Sequence, residues 1–431
     1  MSILLITPPL LQLNTPYPAT PVLLNLLRRH GFEAFQCDLA IETALAVFTP
    51  EILRAAADKA AGMKQRDDRL EFFLESVDDY CRTLPQVIEF LQGKRPELQW
   101  RIAARNFLPE GPYFQSLYNT GEEAEEFLGY AFGRLGTHDQ AKYLASLYLD
   151  DLTFYISATL DSGFGFGKYE AHLGESLPAF EPLLKRLKSP ATAVDAIIER
   201  LVREKLAKYN PDFVGITIPF PGTLYGAFRI AAAIREAAPQ VKIIFGGGYV
   251  NSELRDLEDR RVFDFADYLA FDDGLPVLAE ILNGNLPAAA PASEELPRCQ
   301  RRLLCRDGFM PLELKPEYRT PPLLAPDYDG LDMNLYFDVV EMPNPLHRIW
   351  SDGRWLKMQL AQGCYWHKCA FCDLALDYIG RYEAADAVEI VNEMERLMQT
   401  TGHSGFHFVD EAIPPALAKG ISKEIIRRKL N

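Results

Sequence analysis

A chain of 431 residues, 48% hydrophobic and 24% charged, is long enough to bury an ordinary globular core and suggests about three domains. No apolar run reaches the ~20 residues of a membrane span, and "MSILLITPPL" lacks the basic flank and cleavage site of a signal peptide, so a cytoplasmic location is expected. The net charge of −15 opposes long-range attraction to nucleic acid or anionic lipid; small molecules or a basic partner fit better. Seven cysteines, with Cys37, Cys81, Cys299 and Cys305 scattered, suit a reducing compartment in which thiols are free to bind metal.

The chain opens with a βαβ grammar. "SILLITPP" is a short apolar run closed by prolines, the form of a strand buried on both faces; "TPVLLNLLRRHG" has helical periodicity and a terminal glycine; "FEAFQCDLAIE" begins as a second strand. The pattern stops at residue 42 and resumes near 191. There "AVDAIIERLVREKLAKYN", "PDFVGITIPF", "TLYGAFRIAAAIREAAP", "VKIIFGGGYV", "DYLAFDDG" and "LPVLAEILNG" alternate helix and strand. Residues 1–42 and 191–290 therefore predict a doubly wound α/β sheet of five strands, with ligands expected beyond the strands' carboxyl ends. Residues 43–190, rich in Ala, Leu, Glu and aromatics at helical spacing, predict a helical insertion. Its aromatics suit a core, with a lid over the ligand site as the alternative. Residues 291–350 form a proline-rich connector expected to hold short strands, in which "PDYDGLDMNLYFDVV" is a candidate edge strand.

Among the loops after strands, "FGGGYVNSELR" carries Gly246, Gly247 and Gly248 behind an apolar strand. Glycines there let something bulky approach the backbone, or simply make a tight turn. Thr217, at the end of the preceding strand, is placed to meet a ligand or to satisfy backbone. No GxGxxG follows the first strand, which disfavours a dinucleotide. Further on, "GCYWHKCAFCD" puts Cys364, Cys369 and Cys372 within nine residues, just after the predicted strand "RWLKMQLAQ". Three thiolates leave one iron of a cubane cluster open. With His367 the same cysteines spell a Cys3His zinc set, although His367 and Cys369 make an awkward bite.

The order of "TPP", "NTPYPAT", "VGITIPFPGTLYGA", "GGGYVNSELRDL", "FDDGLPVL", "GCYWHKCAFCD" and "FHFVDEAIPP" resembles the cobalamin-binding radical S-adenosylmethionine (SAM) proteins. The resemblance covers the sheet strands and the chain from about residue 317 onward, not the helical insertion. It implies a Rossmann-like cobalamin-binding domain followed by a (β/α) radical SAM barrel. The implied cofactors are cobalamin, S-adenosylmethionine and a 4Fe-4S cluster on Cys364, Cys369 and Cys372. Gly246, Gly247 and Gly248 would line the cobalamin nucleotide tail, Thr217 would sit beside it, and the loop from Thr7 to Thr20 would lie near the corrin's lower face. That loop has no histidine, so bound cobalamin would lack a histidine ligand. Phe371 matches the aromatic beside the adenine. Asp410 and Glu411 occupy the place that binds the SAM ammonium, although Asp410 is also placed to cap the proline-started helix that follows. The cysteine spacing is one residue longer than the commonest family loop.

The activity implied is methyl transfer to an unactivated carbon. The family's enzymes remove a substrate hydrogen with a deoxyadenosyl radical and take the methyl from methylcobalamin. A rearrangement or cyclisation with the same cofactors, and a catalytically silent cobalamin- or metal-binding module, are the alternatives. A small-molecule or peptide substrate and an electron donor such as flavodoxin or ferredoxin are the implied partners, with neither nucleic acid nor membrane. After the cysteines the sequence predicts one helix, "EAADAVEIVNEMERLMQTTG", one strand, "GFHFVDEAIPP", and one further helix. The barrel is therefore expected to be incomplete.

Overall fold

The computed structural model describes all residues except 119–123, 134–135, 176–178, 291–295, 298–299, 341–353, 371–376, 411 and 431. Its first strand, β1 (Ser2–Thr7), is buried at every position. Ile3 and Leu5 enter the hydrophobic cluster on one face and Leu4 and Ile6 that on the other, which is why the run is continuously apolar rather than alternating. Each such side chain contributes ~1.5–3 kcal/mol of burial. The helix Ala19–Arg29 returns the chain to β2 (Glu33–Asp38), parallel to β1 from Ser2↔Glu33 to Thr7↔Asp38.

Between β2 and the next strand of this sheet the chain is mainly helical, with long helices Asp68–Leu91 and Thr137–Thr159 and a small hairpin, β3 (Phe164–Gly165) with β4 (Lys168–Tyr169). Tyr80, Tyr148, Tyr155 and Phe73 are fully buried in this region, Phe73 stacked on Tyr155 and the others packed against them at a tilt, so these aromatics are core. The helix Ala193–Tyr209, closed by a Thr192/Asp195 capping box, leads into β5 (Phe213–Thr217), β6 (Lys242–Gly246) and β7 (Tyr268–Ala270).

The strand order is β2-β1-β5-β6-β7, all parallel, extended by antiparallel β8 (Leu303–Cys305) and β9 (Gly308–Phe309). The five expected strands are thus part of a seven-stranded sheet. The direction of winding reverses between β1 and β5, and a crevice opens at that point beyond the carboxyl ends. The two added strands come from "LLCRDGF", whose Asp307-Gly308 pair is a hairpin signal. "PDYDGLDMNLYFDVV" is not an edge strand. Its backbone donors go singly to separate partners, Phe337 N to Leu13 O and Asp338 N to Leu91 O, and Met333–Leu335 forms a 3-10 turn.

The carboxyl-terminal part holds β10 (Leu356–Met358), β11 (Ala361–Gln362), β12 (Glu383–Ala384) and β13 (Phe406–Phe408). β10 and β13 are parallel, joined through the helix Ala387–Thr401, which Asp386 caps at one end and left-handed Gly402 at the other. β11 pairs antiparallel with β12. The final helix is Pro415–Arg428. Among the described residues no helix is long and apolar enough to cross a membrane.

Candidate functional site

A cavity of about 540 Å³ lies at the carboxyl ends of the parallel strands. Its apolar floor is formed by Leu5, Leu23, Leu26, Ile244, Leu275 and Leu278. The space exists because the strand positions on this face shrink toward their ends. On β5 the residues sharing the face are Gly215 and Thr217, on β6 Ile244 is followed by Gly246, and β7 ends at Ala270. Thr217, Gly246, Gly247 and Gly248, singled out in the sequence, all line this one cavity.

The three glycines have different physical reasons. A Cβ on Gly246 would meet nothing closer than Ala270 O at 3.6 Å, and its backbone is not left-handed; the position is open toward the cavity. Gly247 has φ +107°, and a Cβ there would lie 2.8 Å from both Ile218 N and Ile218 O. Close approach at Gly247 is therefore between two stretches of this chain, locked by Ile218 N donating to Gly246 O at 2.6 Å and Tyr249 N to Ile218 O at 3.0 Å. Gly248 is tight against Pro219 O at 3.1 Å.

Of the Thr7–Thr20 loop, only its last part reaches the cavity, through Tyr17, Ala19 and Thr20. Leu10, Leu11 and Leu13 are buried in the core. Among the described residues none between 27 and 214 lines the cavity, so those of the helical stretch supply no lid to it. Residues from the far end of the chain do line it: Thr320, Leu324, Gln359 and Gln362. The ion pair between Arg381 and Asp273, 2.8 Å, fastens that end to the loop after β7. Sequence reasoning missed these contributors; Gln362, two residues before Cys364, was the one adjacent to a recognised motif.

The cysteine loop leaves β11 through Gly363, whose φ is +76°. Asp410, at the end of β13, accepts from Leu360 N at 2.8 Å and Ala361 N at 2.9 Å. It thus positions the strand that enters the cysteine loop. Burial raises its pKa against the opposing pull of these main-chain donors. It does not cap the final helix, whose first turn has no side-chain cap. Cys364 is half-buried and Cys369 exposed, both as free thiols, and Trp366 N points at Cys364 Sγ at 3.4 Å. Tyr365, Trp366 and His367 are exposed. Phe371, Cys372 and Glu411 lie outside the described residues, as does Cys299. Among the described residues no group of three His, Cys, Asp or Glu side chains converges as a metal site. His407 is exposed beside Trp355, because Phe406 and Phe408 take the packed face of β13.

No family model, curated protein or solved structure matches this chain.

A buried lysine also connects the two parts. Lys357, on β10 opposite His407, is 8% exposed and donates to Gln12 Oε1 at 2.6 Å, holding the Thr7–Thr20 loop against β10. Thr15 Oγ1 adds a bond to Trp355 O at 2.5 Å. Burial pushes Lys357 down from 10.5 to about 8. The folded pKa lies below the unfolded one, so between about pH 8 and 10.5 the unfolded chain binds more protons and stability rises with pH; below about 8 the penalty is fully present. Lys357→Met removes a charge-burial penalty of ~3 kcal/mol and a hydrogen bond worth ~1 kcal/mol. The expected result is a net gain of ~2 kcal/mol at pH 7 and loss of the alkaline rise, read from urea midpoints at pH 7 and 9.5.

Proposed function

We propose that this chain carries the cobalamin-binding, Rossmann-like domain (1–42 and 191–290) and the cluster-bearing start of the barrel (351–431) of a cobalamin-dependent radical SAM enzyme. The reaction is methyl transfer to an unactivated carbon of a small-molecule or peptide substrate. The observation that carries this reading is the cavity itself, which opens at the winding reversal of a parallel sheet, is cradled by Gly215, Thr217, Gly246 and Ala270, and is walled by Gln362, two residues before Cys364. A flat ring system with an apolar face fits a floor of leucines under strand ends that have lost their side chains.

The residues divide the work. Cys364, Cys369 and Cys372 would hold a cluster with one open iron. Glu411 and Asp410 would meet the SAM ammonium, since a carboxylate with two oxygens bonded to main chain keeps further lone pairs, and Phe371 would pack by the adenine. Gly246 and Thr217 would admit the cobalamin tail, with no histidine ligand from the loop before Thr20. Bound together, these groups supply hydrogen-atom removal from the substrate and delivery of a methyl group, while the protein orients and shields.

The test is anaerobic reconstitution of the full chain with iron and sulfide, followed by titration with aquocobalamin. About four irons with matching acid-labile sulfide and saturable corrinoid uptake are expected. Stoichiometric zinc without labile sulfide, or no corrinoid uptake, sinks the reading.

A further inference from the structure

Two residues that line the cavity each carry a buried polar atom with no hydrogen-bond partner among the described residues: Gln362 Nε2 and Thr320 Oγ1. Gln362 is 4% exposed and Thr320 5%. Their polar neighbours on the same wall are already engaged. Asn251 Oδ1 accepts from Asp272 N at 2.8 Å, Thr20 pairs with Thr7 at 3.2 Å, Asp273 holds Arg381 at 2.8 Å, and Gln359 Nε2 donates to Ala361 O at 2.7 Å. A buried donor without an acceptor costs folding free energy, so a chain that keeps two of them on side chains bordering one cavity has another use for them.

We infer that Gln362 and Thr320 donate hydrogen bonds to acceptor oxygens of the ligand, so that the ligand is gripped from the carboxyl-terminal part as well as from the sheet. The inference rests on the cobalamin reading and deepens it. Among the described residues no Lys or Arg lines the cavity, whereas Asp272 and Asp273 do. Neutral carbonyl oxygens therefore suit these donors better than phosphate, and the carboxamides around a corrinoid ring are of that class. Both donors lie beyond residue 290, so the sheet domain alone is an incomplete site. Gln362 also precedes the cysteine loop directly, and by linkage a ligand that binds it favours the loop position in which it is bound.

The distinguishing experiment uses the full chain with two probes, aquocobalamin and cobinamide, which keeps the ring carboxamides and lacks the nucleotide tail. Gln362→Leu and Thr320→Val are expected to weaken both probes about tenfold each, the loss of one hydrogen bond. In the ligand-free protein their Tm should be equal to or above that of the parent, because an unpaired buried polar group has been removed. A fall in Tm means the two atoms serve the fold, and overturns the inference. Unchanged affinity in both variants, or a loss confined to aquocobalamin, also overturns it while leaving the cobalamin reading intact. A parent chain that binds neither probe overturns that reading itself.

Discussion

Gly246→Leu is expected to reduce aquocobalamin affinity about 100-fold, some 2.7 kcal/mol, while far-ultraviolet circular dichroism and Tm stay near those of the parent. The side chain enters open space beside Ala270 O, 3.6 Å from the would-be Cβ, on a backbone that any residue can adopt. It then fills the cavity that Thr217, Leu5 and Leu275 also border. Gly247→Leu gives the opposite pattern. A Cβ there collides with Ile218 main-chain atoms at 2.8 Å and needs φ +107°, so the expected outcome is a loss of ~3 kcal/mol or more of stability. Weakened binding by Gly247→Leu alone would therefore say nothing about the ligand. If Gly246→Leu binds as tightly as the parent, the strand-end cradle is not the corrinoid site.

The parallel sheet was legible because β1, β5 and β6 are short, mainly apolar runs set between Pro, Gly or Asn, and each following helix carries its own stop signal. The burial of all six β1 residues, with side chains alternating between two clusters, is the structural form of "SILLIT". The hairpin β8–β9 was missed although Asp307-Gly308 announces it, because Arg301, Arg302 and Arg306 make the run look too polar for a sheet; Arg302 is in fact 9% exposed. The edge strand expected from "MNLYFDVV" failed for a tertiary reason. Its apolar side chains are buried as a strand's would be, but Tyr336 spends its hydroxyl on Asp38 Oδ2 at 2.8 Å and the neighbouring backbone donates to three unrelated segments, at Leu13 O, Leu91 O and Ser146 Oγ.

The candidate site divides in the same way. Thr217 and the glycine run were legible because strand-end loops at a winding reversal are where a cavity must open. What periodicity cannot show is which distant segment closes that cavity. Thr320, Gln359 and Gln362 are brought to it by long-range contacts, among them the Leu324–Gln359 bridge, the Arg381–Asp273 pair and the anchoring of Leu360 and Ala361 by Asp410. Asp410 shows how a motif-level assignment gains content: the carboxylate placed beside the SAM ammonium by resemblance also fixes the strand that delivers the cysteines.

That delivery gives the second large effect, at Gly363. A Cβ built there would lie 1.5 Å from Arg381 O and 3.1 Å from Ile379 O, on a backbone at φ +76°. Ala is therefore excluded twice, by ~1–2 kcal/mol for the left-handed backbone and by an overlap only movement of the Arg381 segment can relieve. Because the Arg381 guanidinium holds Asp273 on the cavity wall, that movement disturbs both sites together. Gly363→Ala is expected to lose most of its reconstituted iron and about tenfold in corrinoid affinity, the latter matching loss of one charged clasp. The triple replacement of Cys364, Cys369 and Cys372 by Ala should separate the two functions: iron and labile sulfide disappear, and corrinoid affinity persists within about threefold, since neither Cys364 nor Cys369 lines the cavity. Iron analysis beside aquocobalamin titration on both variants reads the contrast. Full iron loading of Gly363→Ala would show that the cysteine loop does not depend on the Gly363–Arg381 contact, and the coupling between cavity and loop would fall with it.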